Sequence, residues 1–512
     1  MTREAPPIEE RQLYKLWVSL SLILGSIAIS FDQVNVALPK MMSSLMVNVD
    51  KIQWTMTAPQ IARTLMMPTI GWVGARIGNR NLYVASLLVF VVSSILCGIA
   101  WNADALIFFR ILMGIGQGPI QPLAMAILYQ TYPPDQRGYA LGLSMFGSAL
   151  GLALSPSIGG FLIEYVSWRA LFYANIPLAL ASIVMILPLM KNVIEKRSGS
   201  IDYAGLITMT TFLVPLLLAI NSGRQEGWDS VYILTLFTIS IVSFIAFVFA
   251  ELTITEPFID LSLFKYISFS ASSLIRFISL GLGYNGGNLI TTLLLQKRLG
   301  FTAFQEGIIR IPTGLGMSFT GLLVGKLTDK FDPKIFIIVA LFFYALIWYS
   351  FVLITPWSTM WFIATILFFR ALAFSIGSVP LTTAALKTLP DEKVRLGSGL
   401  TNVITGIGGS LGFVLITSFF SRREAYHSIV YMQDPNLSSA STKMTVSLLR
   451  QTFERAGDLR EVAAAKSFAL IRTQLMDEAS LAAYYDCFTL VAFLVLISII
   501  PAFFIQRKKG EE

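Results

Sequence analysis

The chain of 512 residues is short of charge. Only 13% of it is Asp, Glu, Lys or Arg, while 55% is hydrophobic; a soluble protein carries about a quarter charged. That deficit excludes a disordered chain and argues against a water-soluble enzyme. Histidine is nearly absent: His427 is the one copy. The two cysteines, Cys97 and Cys487, are remote and fall in apolar segments. Such a set supplies neither His-based catalysis nor a zinc site, and no structural disulfide is expected. Weakly alternating ten-residue segments, the mark of a porin-type barrel, are missing too. What is there instead is a series of long, unbroken apolar runs. The net charge of +8 reads as Lys and Arg retained on one side of a membrane, with no nucleic-acid partner.

A helix needs about 20 apolar residues to cross a bilayer. Fourteen runs qualify, at roughly 16–38, 52–73, 82–101, 105–130, 138–163, 171–190, 203–221, 230–250, 268–295, 304–325, 335–354, 358–384, 396–420 and 483–506. The first is too long for a signal-peptide core and lacks a small-residue cleavage site, so it is read as a retained span. An even number puts both termini on one side. Arg76, Arg80, Lys196, Arg197, Lys330, Lys334, Lys393, Arg395 and the tail at 507–509 lie on that side. They outnumber Lys40, Lys51, Arg169, Arg224, Lys297 and Arg298 in the short loops opposite. The positive-inside rule makes both termini cytoplasmic. The loop 421–482 is the one large soluble piece. Its second half, 444–483, reads as helical, either a surface cap or a docking surface.

The chain repeats. Gly71-Trp-Val-Gly-Ala75-Arg76-Ile-Gly78-Asn-Arg80 leaves the second span, and Gly325-Lys-Leu-Thr-Asp329-Lys330-Phe-Asp332-Pro-Lys334 leaves the tenth. Arg110 in the fourth span has Arg370 in the twelfth, and the Gly-rich stretch 142–160 has a counterpart at 397–412. Repeats of this size mean two similar six-span halves, 1–190 and 256–512, the latter including loop 421–482. Two unmatched spans at 191–255 lie between them. The 6 + 2 + 6 plan resembles a major facilitator transporter with two inserted helices, in which substrate binds near the midplane between rocking halves. The fold class is therefore an all-α polytopic membrane protein of 14 spans.

Asp32 is the most informative residue. It lies inside the first span and is the one carboxylate placed well within the membrane; Asp104, Glu164, Glu251, Glu306 and Asp486 fall near span ends, and no second deep carboxylate is expected in the C-terminal half. A charge at a helix centre costs about 2.5–3.5 kcal/mol on insertion scales, so it marks a functional group by default. Desolvation favours its protonated form, which suits a proton carrier. A structural Asp paired with a neighbouring Arg is the alternative. Asn35 shares the face of Asp32. Arg110 must face the bundle interior and find a partner there; Arg63, Arg276 and Arg370 pose the same question. Gln117 lies two turns beyond Arg110. Tyr284, Asn285 and Asn288 sit at mid-membrane in the ninth span and either line a cavity or bond between helices. Gly142, Gly151, Ser155, Pro156, Gly159 and Gly160 form a small-residue stripe that lets helices approach closely.

Together these residues resemble the fourteen-spanner drug/proton antiporters of the major facilitator superfamily, EmrB/QacA type. The resemblance covers nearly the whole chain. The segment 32–39 is similar to the family's membrane Asp motif, and Gly71, Arg76, Gly78 and Arg80 to its cytoplasmic gating motif, with Gly325, Asp329 and Lys330 in the second half. Arg110 and Gly114 match the fourth-span motif, and the stripe from Gly142 to Gly160 resembles the antiporter motif. Ala75 departs from the acidic residue of the gating motif, Met113 stands where Gln is usual, and Ser155 replaces a Gly. Ser167 to Pro177 resembles the opening of the family's sixth span, and Arg422, Arg423 and His427 are similar to the EmrB branch.

The resemblance implies a proton-coupled exporter of lipophilic compounds in a bacterial inner membrane, with no cofactor beyond the proton gradient. Asp32 and Arg110 would carry proton coupling; Asn35, Arg63, Gln117, Tyr284, Asn285 and Asn288 would line the substrate cavity. The implied partners are the lipid bilayer, an EmrA-like periplasmic adaptor and a TolC-like outer-membrane channel. The several intramembrane Arg residues point to neutral or anionic substrates. Export of one dedicated metabolite, such as a siderophore, lipid or fatty acid, is the rival reading. A membrane-embedded enzyme or a scaffold fits less well, for want of a clustered catalytic set.

Overall fold

The structure is a computed structural model that describes residues 8–31, 34–47, 49–67, 69–190, 192, 203–253, 261–390, 393–433 and 440–506. The described residues form helices and no strand. Inside a bilayer every backbone polar group must bond within the protein, and helices achieve this one segment at a time.

The first apolar run folds as α1 (Ile8–Ser30) and α2 (Val34–Leu45), the second as α3 (Val49–Met66) and α4 (Thr69–Ile77). Then come α5 (Asn79–Gly98), α6 (Ala103–Thr131), α7 (Arg137–Tyr165) and the pair α8 (Ala170–Ala174) and α9 (Ile176–Leu189). The inserted pair is α10 (Tyr203–Glu226) and α11 (Val231–Thr253). The next crossing is composite: α12 (Ile267–Ile275), a π-helical segment Arg276–Asn285, α13 (Gly286–Leu293) and a π-helical end Leu294–Arg298. The second half continues with α14 (Ala303–Lys330), α15 (Pro333–Ser350), α16 (Met360–Lys387) and α17 (Val394–Met432). It ends with α18 (Ala440–Arg455), α19 (Arg460–Ile497) and α20 (Ile499–Ala502).

Twelve of these helical stretches are long and apolar enough to span a membrane. The α3–α4 pair and α10 account for the other two expected spans. Within α10 the apolar stretch is shorter, Ala204–Ile220, and α3 is diluted by Lys51, Gln60 and Arg63.

Helix starts are fixed by short polar side chains. Asn102 Oδ1 accepts the Ala105 N–H at 2.8 Å ahead of α6, and Thr302 with Gln305 closes a reciprocal capping box on α14. Asp332 caps α15, where Pro333 sits in the first turn and loses no bond by lacking an N–H.

Buried apolar residues gather in three clusters. One runs from Val18 to Ile186 and one from Ala271 to Ile505. The third joins Met125, Tyr129 and Leu141 to Met209 and Leu213 of α10 and to Leu386, Leu389, Val394 and Leu400. It sits where α6 and α16 end and α7 and α17 begin, on the side where α1 begins and α20 ends. We call that side the terminus face. Cys97 and Cys487 are buried free thiols.

The segment 421–482 is more helical than its sequence suggests. α17 runs on through Ser421 to Met432, α18 follows, and α19 starts at Arg460 and enters the last crossing without a break. One polar cluster ties α17 to α19 at this level: Arg423 Nε and His427 Nε2 both lie 2.6 Å from Asp486 Oδ2.

Candidate functional site

The N-terminal half builds its charge site on a broken hydrogen bond. Pro59 lies inside α3. It has no N–H, so the carbonyl four residues earlier, on Thr55, loses its helical donor. Arg110 of α6 supplies one: its Nε donates to Thr55 O at 2.8 Å. The same guanidinium lies 3.4 Å from Met113 Sδ and 5.8 Å from the Phe172 ring centre, and the residue is 2% exposed. One turn on, Gly114 faces Pro59 so closely that a Cβ would strike the Pro59 carbonyl. A Cβ at Gly118 would lie 2.7 Å from Arg63 O. Gln117, beside it, is buried with Nε2 unpartnered. Arg110, Arg63 and Gln117 thus belong to one α3–α6 contact. Asp32 lies outside the described residues, as does the side chain of Asn35.

The C-terminal half places its charges at graded depth. α14 enters from the face opposite the termini, and Glu306 lies in its first turn. Glu306 Oε1 accepts from Arg310 Nε at 3.0 Å, Arg310 Nη2 at 2.7 Å and Thr292 Oγ1 at 2.9 Å, and Oε2 accepts from Gln296 Nε2 at 2.7 Å. The residue is 6% exposed. Glu306 is thus buried at the end of its span, while no deep carboxylate was expected in this half. Glu306 is near the end of its own span, but the neighbouring crossing continues to Arg298 and covers it with Thr292 and Gln296.

Deeper in the membrane, on α16, Arg370 is 3% exposed among aromatic rings. Its guanidinium lies 4.8 Å from the Trp348 ring centre, 5.8 Å from Phe351 and 6.0 Å from Tyr284. Tyr284 also stacks on Phe374 with ring centres 4.5 Å apart. Asn285 turns back on its own helix, donating to Leu280 O at 3.1 Å, and Asn288 Oδ1 is buried and unpartnered. Arg276 donates to Thr382 Oγ1 at 2.7 Å and lies 3.4 Å from Thr405 Oγ1.

Glycines join the two halves. A Cβ at Gly142 of α7 would lie 2.6 Å from Gly321 O of α14, and one at Gly325 would lie 2.5 Å from Gly138 O. Farther along α7, Gly151 meets α1 at Ile27 and Ser30, and Gly160 meets Phe304. Gly159 is buried, and Ser155 is buried with Oγ unpartnered; the surroundings of Pro156 lie outside the described residues. The small-residue stripe therefore serves two partners, α14 at both ends and α1 between them.

The loops on the terminus face are held by backbone carbonyls. Gly78 has φ +84°, which favours glycine, and packs on Asn192. Asn192 Nδ2 donates to Ile77 O at 2.7 Å, and Arg80 Nη1 to Met190 O at 2.9 Å. Arg76 is half-buried in the last turn of α4. Lys330 is exposed at the end of α14. The surroundings of Gly71 and the side chain of Asp329 lie outside the described residues.

Sequence reasoning missed Glu306 as the partner of Arg310 and Trp348 as the ring beneath Arg370. The Glu306/Arg310 spacing of four was the available signal, since it places both on one helix face. Nothing in the sequence marks which rings surround Arg370.

Residues 18–413 match the Major Facilitator Superfamily. The multidrug export protein EmrB of Haemophilus influenzae is 31% identical over 428 residues, covering 83% of this chain and 84% of EmrB. The fatty acid resistance protein FarB of Neisseria gonorrhoeae is 28% identical over 461 residues, covering 87% of this chain and 88% of FarB. Among solved structures, the human organic anion transporter MFSD10 superposes with a TM-score of 0.61 at 15% identity, over 98% of this chain and all of that one, a likeness of fold. The motifs, the helical architecture and the match over most of the sequence agree: the chain is a multi-pass membrane protein of the major facilitator superfamily, a family of transporters.

Proposed function

We propose that the chain is a proton-coupled exporter of lipophilic compounds in a bacterial inner membrane, with both termini in the cytoplasm. The observation that carries the reading is the alignment with EmrB along more than four fifths of both chains. The geometry supports it. Two halves with separate cores meet through an apolar seal on the terminus face, as a carrier closed on that side would. The cycle needs only that proton and substrate favour different states. Asp32 takes a proton from the outer side, and Arg110, fixed by Thr55, sets the charge environment of the N-terminal half. Arg63, Gln117, Asn35, Tyr284 and Asn288 contribute to the substrate path. No cofactor is invoked; the proton gradient supplies the energy. The helical protrusion 421–482 docks an EmrA-like adaptor that leads to a TolC-like channel.

A second reading, export of a dedicated fatty acid, is favoured by the alignment with FarB. Competition among chemically diverse substrates separates the two, because a dedicated carrier resists displacement by unrelated compounds.

The test is gradient-driven efflux of a neutral fluorescent lipophile from vesicles, with the parent and Asp32→Asn at equal folded amounts. Binding is measured alongside. The variant is expected to bind the dye and to lose proton-driven transport. Normal transport by the variant sinks the role given to Asp32.

A further inference from the structure

We propose that Arg370, with Tyr344 and Trp348, forms a head-group site for an anionic lipophile, a carboxylate carried on an apolar body. The proposal rests on the exporter reading and adds to it the substrate charge and the residues that recognise it.

Five charged side chains are buried among the described residues: Arg110, Glu251, Arg276, Glu306 and Arg370. Glu306 is the one acid among those in the C-terminal half, and it is committed. Its two oxygens accept four hydrogen bonds, two of them from Arg310. Arg276 rests on threonine hydroxyls. Arg370 has neither an acid nor a carbonyl, and its Nη1 is buried with no hydrogen-bond partner. The contrast with Arg110 is informative, because the counterpart in the first half has the Thr55 carbonyl freed by Pro59. A buried guanidinium without a counter-group is strongly unfavourable, and such residues in membranes mark substrate or ion paths.

The surroundings fit an anion with an apolar body. Trp348, Phe351 and Tyr284 present rings to the guanidinium, and this cation–π contact stabilises the charge while leaving its N–H donors unused. Tyr344 Oη and Trp348 Nε1 are also buried, and they face each other with no third described group bonded to either. They lie one turn apart on α15, with ring centres 6.0 Å apart, and Tyr344 also packs against Phe374 at 6.0 Å. Arg370 Nη1 on α16 and the Tyr344–Trp348 pair on α15 thus offer donors to one incoming anion. A carboxylate has two oxygens with about four acceptor positions and forms its strongest bonds with guanidinium. The remaining wall is aromatic and aliphatic, with Phe351 and Phe374 nearest, which suits an acyl or aryl body.

The probe is dodecanoate, with its methyl ester as the uncharged control, titrated into the purified full chain in phosphatidylcholine nanodiscs. The parent is expected to bind dodecanoate at least tenfold tighter than the ester. In Arg370→Gln that ratio is expected to fall to near one, with ester binding serving as the folding control. Tyr344→Phe keeps the ring and removes one donor; it should lower the ratio about threefold and carries the test if the Arg370 variant does not fold. An unchanged ratio in the folded variants overturns the proposal. A ratio abolished in the parent by adding phosphatidylglycerol also overturns it, since the anion held would then be a resident lipid phosphate. Efflux of a neutral dye by the parent is measured separately. Its absence counts against the exporter reading, while its presence with an unchanged ratio counts against the head-group site alone.

Discussion

A charge inside a membrane persists when its lone pairs or protons are satisfied, and Glu306 shows this fully supplied. Four donors from two helices converge on its carboxylate, and Arg310 shares the hydroxyl of Thr292 at 3.0 Å. Breaking such a pair costs more than removing it, because the survivor keeps its desolvation without its partner. Glu306→Gln is therefore expected to destabilise the protein by about 3 kcal/mol, read as a lowered thermal midpoint in detergent. Glu306→Gln/Arg310→Met should recover at least half of that loss. A double variant as unstable as the two single losses added together would show that the pair is not the unit. At this scale the sequence was half legible. Arg110 and Arg370 stood out because a charge within an apolar run needs an explanation. Glu306 did not, because its burial comes from Thr292 and Gln296, residues of a neighbouring crossing that no local pattern connects to it. The frame around Arg110 was open to reading only in part: the Pro59-to-Thr55 offset of four is in the sequence, but the choice of that carbonyl by Arg110 is a tertiary fact.

Glycine on a membrane helix sets how near a second backbone can come, and the α7–α14 seam uses it unequally. A Cβ at Gly142 would lie 2.6 Å from a carbonyl of α14, whereas one at Gly321, across the same contact, would meet Ser375 Oγ at 3.3 Å and Gly142 O at 3.9 Å. A serine hydroxyl can rotate away; a backbone carbonyl inside a helix cannot. Gly142→Ala should therefore cost about 1–3 kcal/mol, the usual range for overpacking, and lower the thermal midpoint by several degrees. Gly321→Ala should change it by less than half as much. Equal losses would mean that the seam does not pack as described. The spacing of small residues from Gly142 to Gly160 was visible in the sequence and identified a close-packed helix. Its division between α14 and α1 was not, because each glycine reports that a neighbour is close and not which neighbour it is. The same limit applied to the ninth span, where Tyr284, Asn285 and Asn288 were legible as polar residues at mid-depth. The π-helical turn that carries Tyr284 towards Phe374 and folds Asn285 back on Leu280 had no signature beyond the surrounding glycines.

At the scale of the whole molecule, two cores are joined by a third apolar cluster, the seal of the proposed cycle. The doubled gating loops and the two span arginines made a repeated plan readable. The seal was not readable, because it draws Tyr129, Met209, Leu389 and Leu400 from segments far apart in sequence. If the seal holds the terminus face shut, a charge inside it must shift the balance of states. Leu400 is 8% exposed and Leu389 is 6% exposed. An unpaired carboxylate placed there is costly in the sealed state and is hydrated once that face opens. Each 1.4 kcal/mol of difference between the two states moves their ratio tenfold. A background with Cys97→Ser and Cys487→Ser, carrying Met125→Cys within the seal, gives the readout. A membrane-impermeant maleimide should label that thiol slowly in the parent background and at least tenfold faster once Leu400→Glu is added. Reagent confined to the terminus face should show the increase, and reagent confined to the opposite face should not. Equal rates with and without the added charge would mean that the apolar cluster packs the halves together without governing access. Faster labelling from the opposite face alone would place the gate at the other end of the molecule. The same experiment in vesicles of known orientation also fixes which compartment the termini occupy, because the face that responds is the face on which α1 begins.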